Sequence, residues 1–282
     1  MREWFEGRVE SGEYSLRYFR SGGHEGNGMA PLVLVHGFTD SALYFTRVGE
    51  ALAQEWDVIA YDARGHGESD RSLGKFTDDT RADDLVAVIR GLGLNRPALL
   101  GHSMGGATIA HAVARNPGLS RAAVLEDPAW WEPSDREIEA GREANVQRNA
   151  AWRQWVEAIQ AVPLGEALAQ RAADESTWSP IDIATSTDAR RSIELGLFDW
   201  FPAERGLWRS AVRALDCPTL LMTGGNVARG RIITPELAAE AQVLNPLVEV
   251  ADIADAGHHL KYDCFDEFIG IVGEFLSRFR GV

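Results

Sequence analysis

Cysteine is scarce in this chain: Cys217 and Cys264 are the only two among 282 residues. Two thiols far apart in sequence build no disulfide framework and offer no metal-ligand spacing. Long apolar runs are missing as well, since none approaches the roughly 18 residues that span a bilayer. The opening residues, Met1-Arg2-Glu3-Trp4-Phe5-Glu6, lack the basic-then-apolar order of a secretion signal. Positive charge is in deficit, with 28 Lys and Arg against 42 Asp and Glu and a formal net charge of −14. That balance repels phosphate backbones and anionic lipid, so neither nucleic acid nor a membrane is an expected partner. Repeats and low-complexity segments are absent too. The expectation is a globular, cytoplasmic protein with no metal and no cofactor.

What is present is an alternation of strands and helices. Trp4 to Arg20 reads as a hairpin around the turn pair Ser11-Gly12. Pro31 to Val35, Trp56 to Tyr61, Ala98 to Leu100, Ala122 to Leu125, Cys217 to Thr223 and Val248 to Ala251 are apolar runs, as expected of strands buried on both faces. Between them lie helical patterns over 41–54, Asp78 to Leu92, Ala107 to Arg115, Pro235 to Gln242 and Phe265 to Phe279. This order predicts a mostly parallel sheet with helices on both faces. The rhythm breaks at Pro128. From Ala129 to Leu215 no strand is legible. Ser134-Asp135-Arg136-Glu137 is a capping box that opens a helix to about Ala161, a second helix starts at Pro163, and a third is expected after Thr187. Seven of the nine tryptophans fall in this stretch. It is read as a helical cap, residues 129–215, inserted between two parts of one core, 1–128 and 216–282.

Within the core, Gly101-His102-Ser103-Met104-Gly105 follows an apolar strand and precedes a helix. A serine on so tight a strand-to-helix turn needs neighbours without side chains, and its hydroxyl then projects from the sheet edge. The spacing makes Ser103 a candidate nucleophile and the Met104 N–H a candidate oxyanion donor, at the start of a helix.

Three further motifs stand at strand ends in a fitting order: His36-Gly37-Phe38, Asp62-x-Arg64-Gly65-His66-Gly67-x-Ser69 and Ala256-Gly257-His258. With the serine motif they resemble the α/β-hydrolase fold family along nearly the whole chain. The resemblance implies an eight-stranded, mostly parallel sheet and a serine nucleophile. It also implies His258 as the base that takes the serine proton, and the Phe38 N–H as second oxyanion donor. His259, one residue on, points away. The Asp62–Gly67 motif is read as a structural turn shaped by its glycines and its charged pair.

Most of the family carries its acid after the seventh strand, but here residues 224–235 contain neither Asp nor Glu. A subset, including haloalkane dehalogenases and some lactone hydrolases, carries it after the sixth strand, where Glu126 and Asp127 stand. Asp127 is preferred as the partner that fixes the His258 tautomer. Glu126 is the alternative acid, or else faces the cap or pairs with an arginine. Trp130 and Trp131 follow at the hinge into the cap and are candidates for the wall of an apolar pocket. The implied activity is hydrolysis of a carboxylic ester or lactone of a mainly apolar small molecule through an acyl-enzyme. Carbon–carbon bond hydrolysis on the same fold is one alternative, and a ligand sensor on a hydrolase scaffold is the other.

Overall fold

The computed structural model describes residues 4–72, 74, 76–130, 135–199 and 208–281, with the backbone alone at 135–146 and 148. Eight strands form one sheet: β1 (Phe5–Ser11), β2 (Tyr14–Arg20), β3 (Pro31–Val35), β4 (Asp57–Tyr61), β5 (Ala98–His102), β6 (Ala122–Glu126), β7 (Thr219–Gly224) and β8 (Val248–Ile253), in spatial order 1-2-4-3-5-6-7-8. β1 pairs antiparallel with β2, and β2 with β4; every other pairing is parallel.

Because side chains alternate along a strand, one apolar run feeds two cores. Val33, Val35, Ile59, Leu99, Leu125 and Leu221 face one side. There they meet α2 (Asp78–Gly91), α3 (Met104–Arg115) and α8 (Pro235–Leu244). Leu32, Leu34, Val58, Leu100, Val124 and Leu220 face the other. On that side lie α1 (Thr46–Leu52) and α10 (Phe265–Ser277). β3 to β7 therefore need apolar residues at both parities, which is why they read as continuous runs.

Between β6 and β7 the chain forms α4 (Asp135–Ala161), α5 (Leu164–Asp174), α6 (Pro180–Ser192) and α7 (Trp208–Arg213). The helix expected after Thr187 is in fact α6, and Thr187 lies inside it. Its start is set by Ser179, whose side chain accepts from the Asp182 N–H, and by Pro180 at the first helical position. The interior Thr187 hydroxyl is absorbed by the Ile183 carbonyl at 2.7 Å. A short α9 (Leu260–Asp263) precedes α10. Among the described residues no helix is long and apolar enough to cross a membrane. No cluster of His, Cys, Asp and Glu there could hold a metal ion.

Candidate active site

β5 runs directly into Ser103, whose backbone sits at φ 52°, ψ −115°. That is costly for a residue with a side chain and is held by its surroundings. The Ser103 N–H donates to the Glu126 carbonyl at 2.9 Å, and the Ser103 carbonyl accepts from Ala107 and Ala129. The flanking glycines are needed for space. A Cβ on Gly105 would lie 1.9 Å from the Val35 carbonyl oxygen, and one on Gly101 2.5 Å from the Gly105 carbonyl carbon. The helix expected from Ala107 starts earlier, at Met104, so the Met104 N–H belongs to its free N-terminal turn.

One step along the sheet, β6 ends at Glu126 and Asp127 follows it, both fully buried. Consecutive residues project to opposite faces, and the two acids part company. Asp127, at φ 38°, meets His258: Oδ2 lies 2.6 Å from Nδ1. Its carboxylate also accepts the Ile232 and Ile233 N–H groups at 2.8 Å each. The loop after β7 that holds no acid thus supplies donors to an acid from β6. Glu126 turns the other way and binds Lys261: Oε2 is 2.8 Å from Nζ, and Oε1 accepts the Lys261 N–H at 3.2 Å. Neither side chain is exposed to solvent. The expectation that Glu126 faces the cap or pairs with an arginine is corrected accordingly. As the alternative acid it is likewise set aside, because both its oxygens are engaged by Lys261 rather than by His258.

His258 is fixed along its backbone. Its N–H donates to the Arg229 carbonyl at 3.1 Å, and its carbonyl accepts from His102 Nε2 at 2.9 Å. The rings of His258 and His102 lie 4.6 Å apart, which puts the base candidate beside the serine turn. With Nδ1–H donated to Asp127, Nε2 keeps the lone pair. Ser103 Oγ makes no hydrogen bond to a described residue, so the contacts that join the three side chains run through Asp127, the Glu126 main chain and His102. His259 lies against Tyr44, Tyr262 and Trp178, and burial holds its pKa well below that of a free imidazole.

The Phe38 loop is held by two histidines. The Ala63 N–H donates to His36 Nε2 at 3.0 Å, so Nδ1 carries the proton and donates to the Gly37 carbonyl at 2.7 Å. In a trans peptide the C=O and the following N–H point in opposite directions, so this bond also aims the Phe38 N–H. His66 Nε2 contacts the Phe38 carbonyl. The Phe38 ring packs 5.2 Å from Trp152 and 4.9 Å from Phe198. It belongs to an apolar cluster with Phe76, Met104, Val156 and Ile193.

Two smaller expectations change. Asp62 and Arg64 do not pair with each other: Asp62 binds Arg17 at 2.7 Å and Arg64 binds Asp84 at 2.6 Å. Trp130 is a core residue stacked on Trp208 at 4.9 Å with nearly parallel rings, and it packs with the α3 side of the sheet rather than in the Phe38 cluster. Trp131 lies outside the described residues. The role of Lys261 has one signal in the sequence, a lysine three residues beyond His258 between the apolar Leu260 and the aromatic Tyr262.

This sheet order, with a serine turn after the fifth strand and a contact between an acid after the sixth and a histidine after the eighth, defines the class of α/β hydrolases. The chain belongs to the alpha/beta hydrolase fold family, whose model matches residues 30–263. It is 33% identical over 280 residues to the N-formylmaleamate deformylase of Pseudomonas putida, covering 96% of each chain. It is 27% identical over 245 residues to the 2-(acetamidomethylene)succinate hydrolase of Mesorhizobium japonicum, covering 83% of this chain and 84% of that one. The crystal structure of E-2-(acetamidomethylene)succinate hydrolase superposes with a TM-score of 0.78 at 20% identity, covering 98% of this chain and all (100%) of the other.

Proposed function

We propose that this protein is a serine hydrolase that cleaves an ester or N-acyl bond of a small molecule through an acyl-enzyme, without a cofactor. The observation that carries the reading is the buried Asp127 carboxylate, hydrogen-bonded at 2.6 Å to His258 beside the Ser103 turn. A neutral serine hydroxyl is a weak nucleophile until a base takes its proton. Ser103 Oγ attacks the carbonyl carbon while His258 Nε2 accepts its proton. Asp127 holds the tautomer with Nδ1–H and stabilises the imidazolium. The carbonyl electron pair moves onto oxygen, where the Phe38 and Met104 N–H groups receive the charge. The oxygen–carbon double bond re-forms, the bond to the leaving group breaks, and His258 protonates the departing alkoxide or amine. Water, deprotonated by His258, then releases the acid and restores Ser103. The helices α4 to α6 act as a cap, with Trp152, Val156 and Phe198 closing over Phe38.

The N-acyl option has specific support. Two relatives are named for an N-formyl and an acetamido compound, one of them at 33% identity over nearly the full chain. The ester and N-acyl readings share one mechanism and differ only in leaving group. The test measures hydrolysis of nitrophenyl esters of rising acyl length, and of N-acyl analogues, by wild type, Ser103→Ala and Asp127→Asn. Turnover should vanish in Ser103→Ala and fall on the order of 10³–10⁴-fold in Asp127→Asn with an unchanged circular dichroism spectrum. Retained activity in Ser103→Ala would overturn the mechanism, as would tight ligand binding by the wild type without turnover.

A further inference from the structure

Two arginines of the inserted helices are buried without a part in that chemistry. Arg190, in α6, is 3% exposed, and Arg171, in α5, 9%. Arg190 Nη1 donates to the Ser186 carbonyl of its own helix at 2.7 Å. Its Nε is buried with no partner, and among the described residues no carboxylate lies within ion-pair distance of it. Arg171 reaches Glu175 at 3.5 Å, with its own Nε buried and unpartnered. Burial, and then the charge of Arg190, push the Arg171 pKa down to about 10. Both arginines feel the field of the buried Asp40, which contacts His102 instead. Buried guanidiniums are normally matched by carboxylates in planar, two-pronged contact, and an unmatched buried cation is strongly unfavourable.

Both arginines line a cavity of about 230 Å³ between α4, α5 and α6. Trp155, Ile159 and Val162 form its apolar wall, and the Arg190 guanidinium lies 5.3 Å from the Trp155 ring centre. Glu166 and Asp174 also line it but are solvent-exposed, so water screens their charge. The lining therefore combines two buried cations with apolar carbon. That pattern suits a small organic anion better than a neutral molecule or a metal.

We propose that this cavity is a binding site for a small carboxylate, clamped by Arg190 and Arg171 with its carbon skeleton against Trp155 and Ile159. The carboxylate belongs either to the molecule whose carbonyl meets Ser103 or to a separate small acid. Only the first source rests on the hydrolase reading, while binding itself does not.

The probe is succinate, short enough for the cavity and doubly charged, set against sodium chloride of matched ionic strength. Calorimetry and thermal denaturation are run on the whole protein. Succinate should bind and raise the melting temperature of the wild type. Arg190→Gln should weaken binding about 10–100-fold, the loss of one charge-assisted contact, with Arg190→Lys in between. Ligand-free Arg190→Gln should melt no lower than wild type, because it removes an unmatched charge. No succinate-specific shift in the wild type would overturn the proposal, and so would equal binding by Arg190→Gln. A lower melting point of ligand-free Arg190→Gln would do the same, by showing Arg190 to be a structural partner of Asp40. The source is then read from inhibition of neutral ester hydrolysis by the wild type. Competitive inhibition assigns the carboxylate to the substrate, and non-competitive inhibition to a separate acid.

Discussion

Replacing Lys261 with methionine tests whether the buried Glu126–Lys261 pair braces the site. The ammonium is fully buried, 2.8 Å from Glu126 Oε2 and 3.9 Å from the centre of the Tyr44 ring. Methionine keeps most of the volume and removes the charge, leaving a carboxylate in the interior with one N–H donor from the main chain. Removing one partner of a buried pair costs about 3–5 kcal/mol, a fifth or more of the roughly 5–15 kcal/mol that holds a domain together. For a chain of this size that is a fall in melting temperature on the order of 10 °C. The double variant Glu126→Gln/Lys261→Met carries neither charge and should recover most of the loss, short of about 1 kcal/mol for the cation–π contact. Urea and thermal denaturation at neutral pH measure both. A single variant within 1 kcal/mol of wild type, or a double variant no better than the single, would refute the reasoning. The stakes extend to the site, because the Glu126 carbonyl holds the Ser103 N–H and the next residue holds His258.

Two more outcomes are expected. Gly105→Ala would bring its Cβ to 1.9 Å from the Val35 carbonyl oxygen; β3 and α3 cannot both stay in place, so folded protein should be lost by circular dichroism, and a wild-type melting curve would disprove the packing account. Acid should destabilise the protein through its buried imidazoles. Burial holds His66 down to about 4 against an ordinary 6.5, so the unfolded chain binds the extra proton between those values. Stability is then full above pH 6.5 and declines by about 3 kcal/mol as the pH falls toward 4. His66→Gln should flatten that part of the slope in urea denaturation across pH, and an unchanged slope would count against the assignment.

Much of the fold is legible in the chain because its signals are local. Continuous apolar runs mark strands buried on both faces, as Val33 and Leu34 show by feeding opposite cores. The serine turn is legible for the same reason: glycine at 101 and 105 answers to backbone only a few residues away or one strand over. The start of the helix containing Thr187 is a local signal too, written in Ser179-Pro180.

The sequence by itself determined the class of fold, the strand that ends in Ser103, and the absence of an acid after β7. It narrowed the histidine's partner to two adjacent carboxylates and favoured Asp127. Only the tertiary structure decided between them. Asp127 and His258 are 131 positions apart, and Glu126 and Lys261 are 135 apart. Which acid meets which base depends on the pleat of β6 and on the closing of β7 and β8 beside it. The acid-free loop acquired its use in the same way, as two N–H groups facing the Asp127 carboxylate. The meeting of Arg171 with Arg190 also came from packing, since nothing in the spacing of α5 and α6 brings two cations together. Periodicity is written along the chain, whereas the pairing of buried charges arises only where distant segments exclude water together.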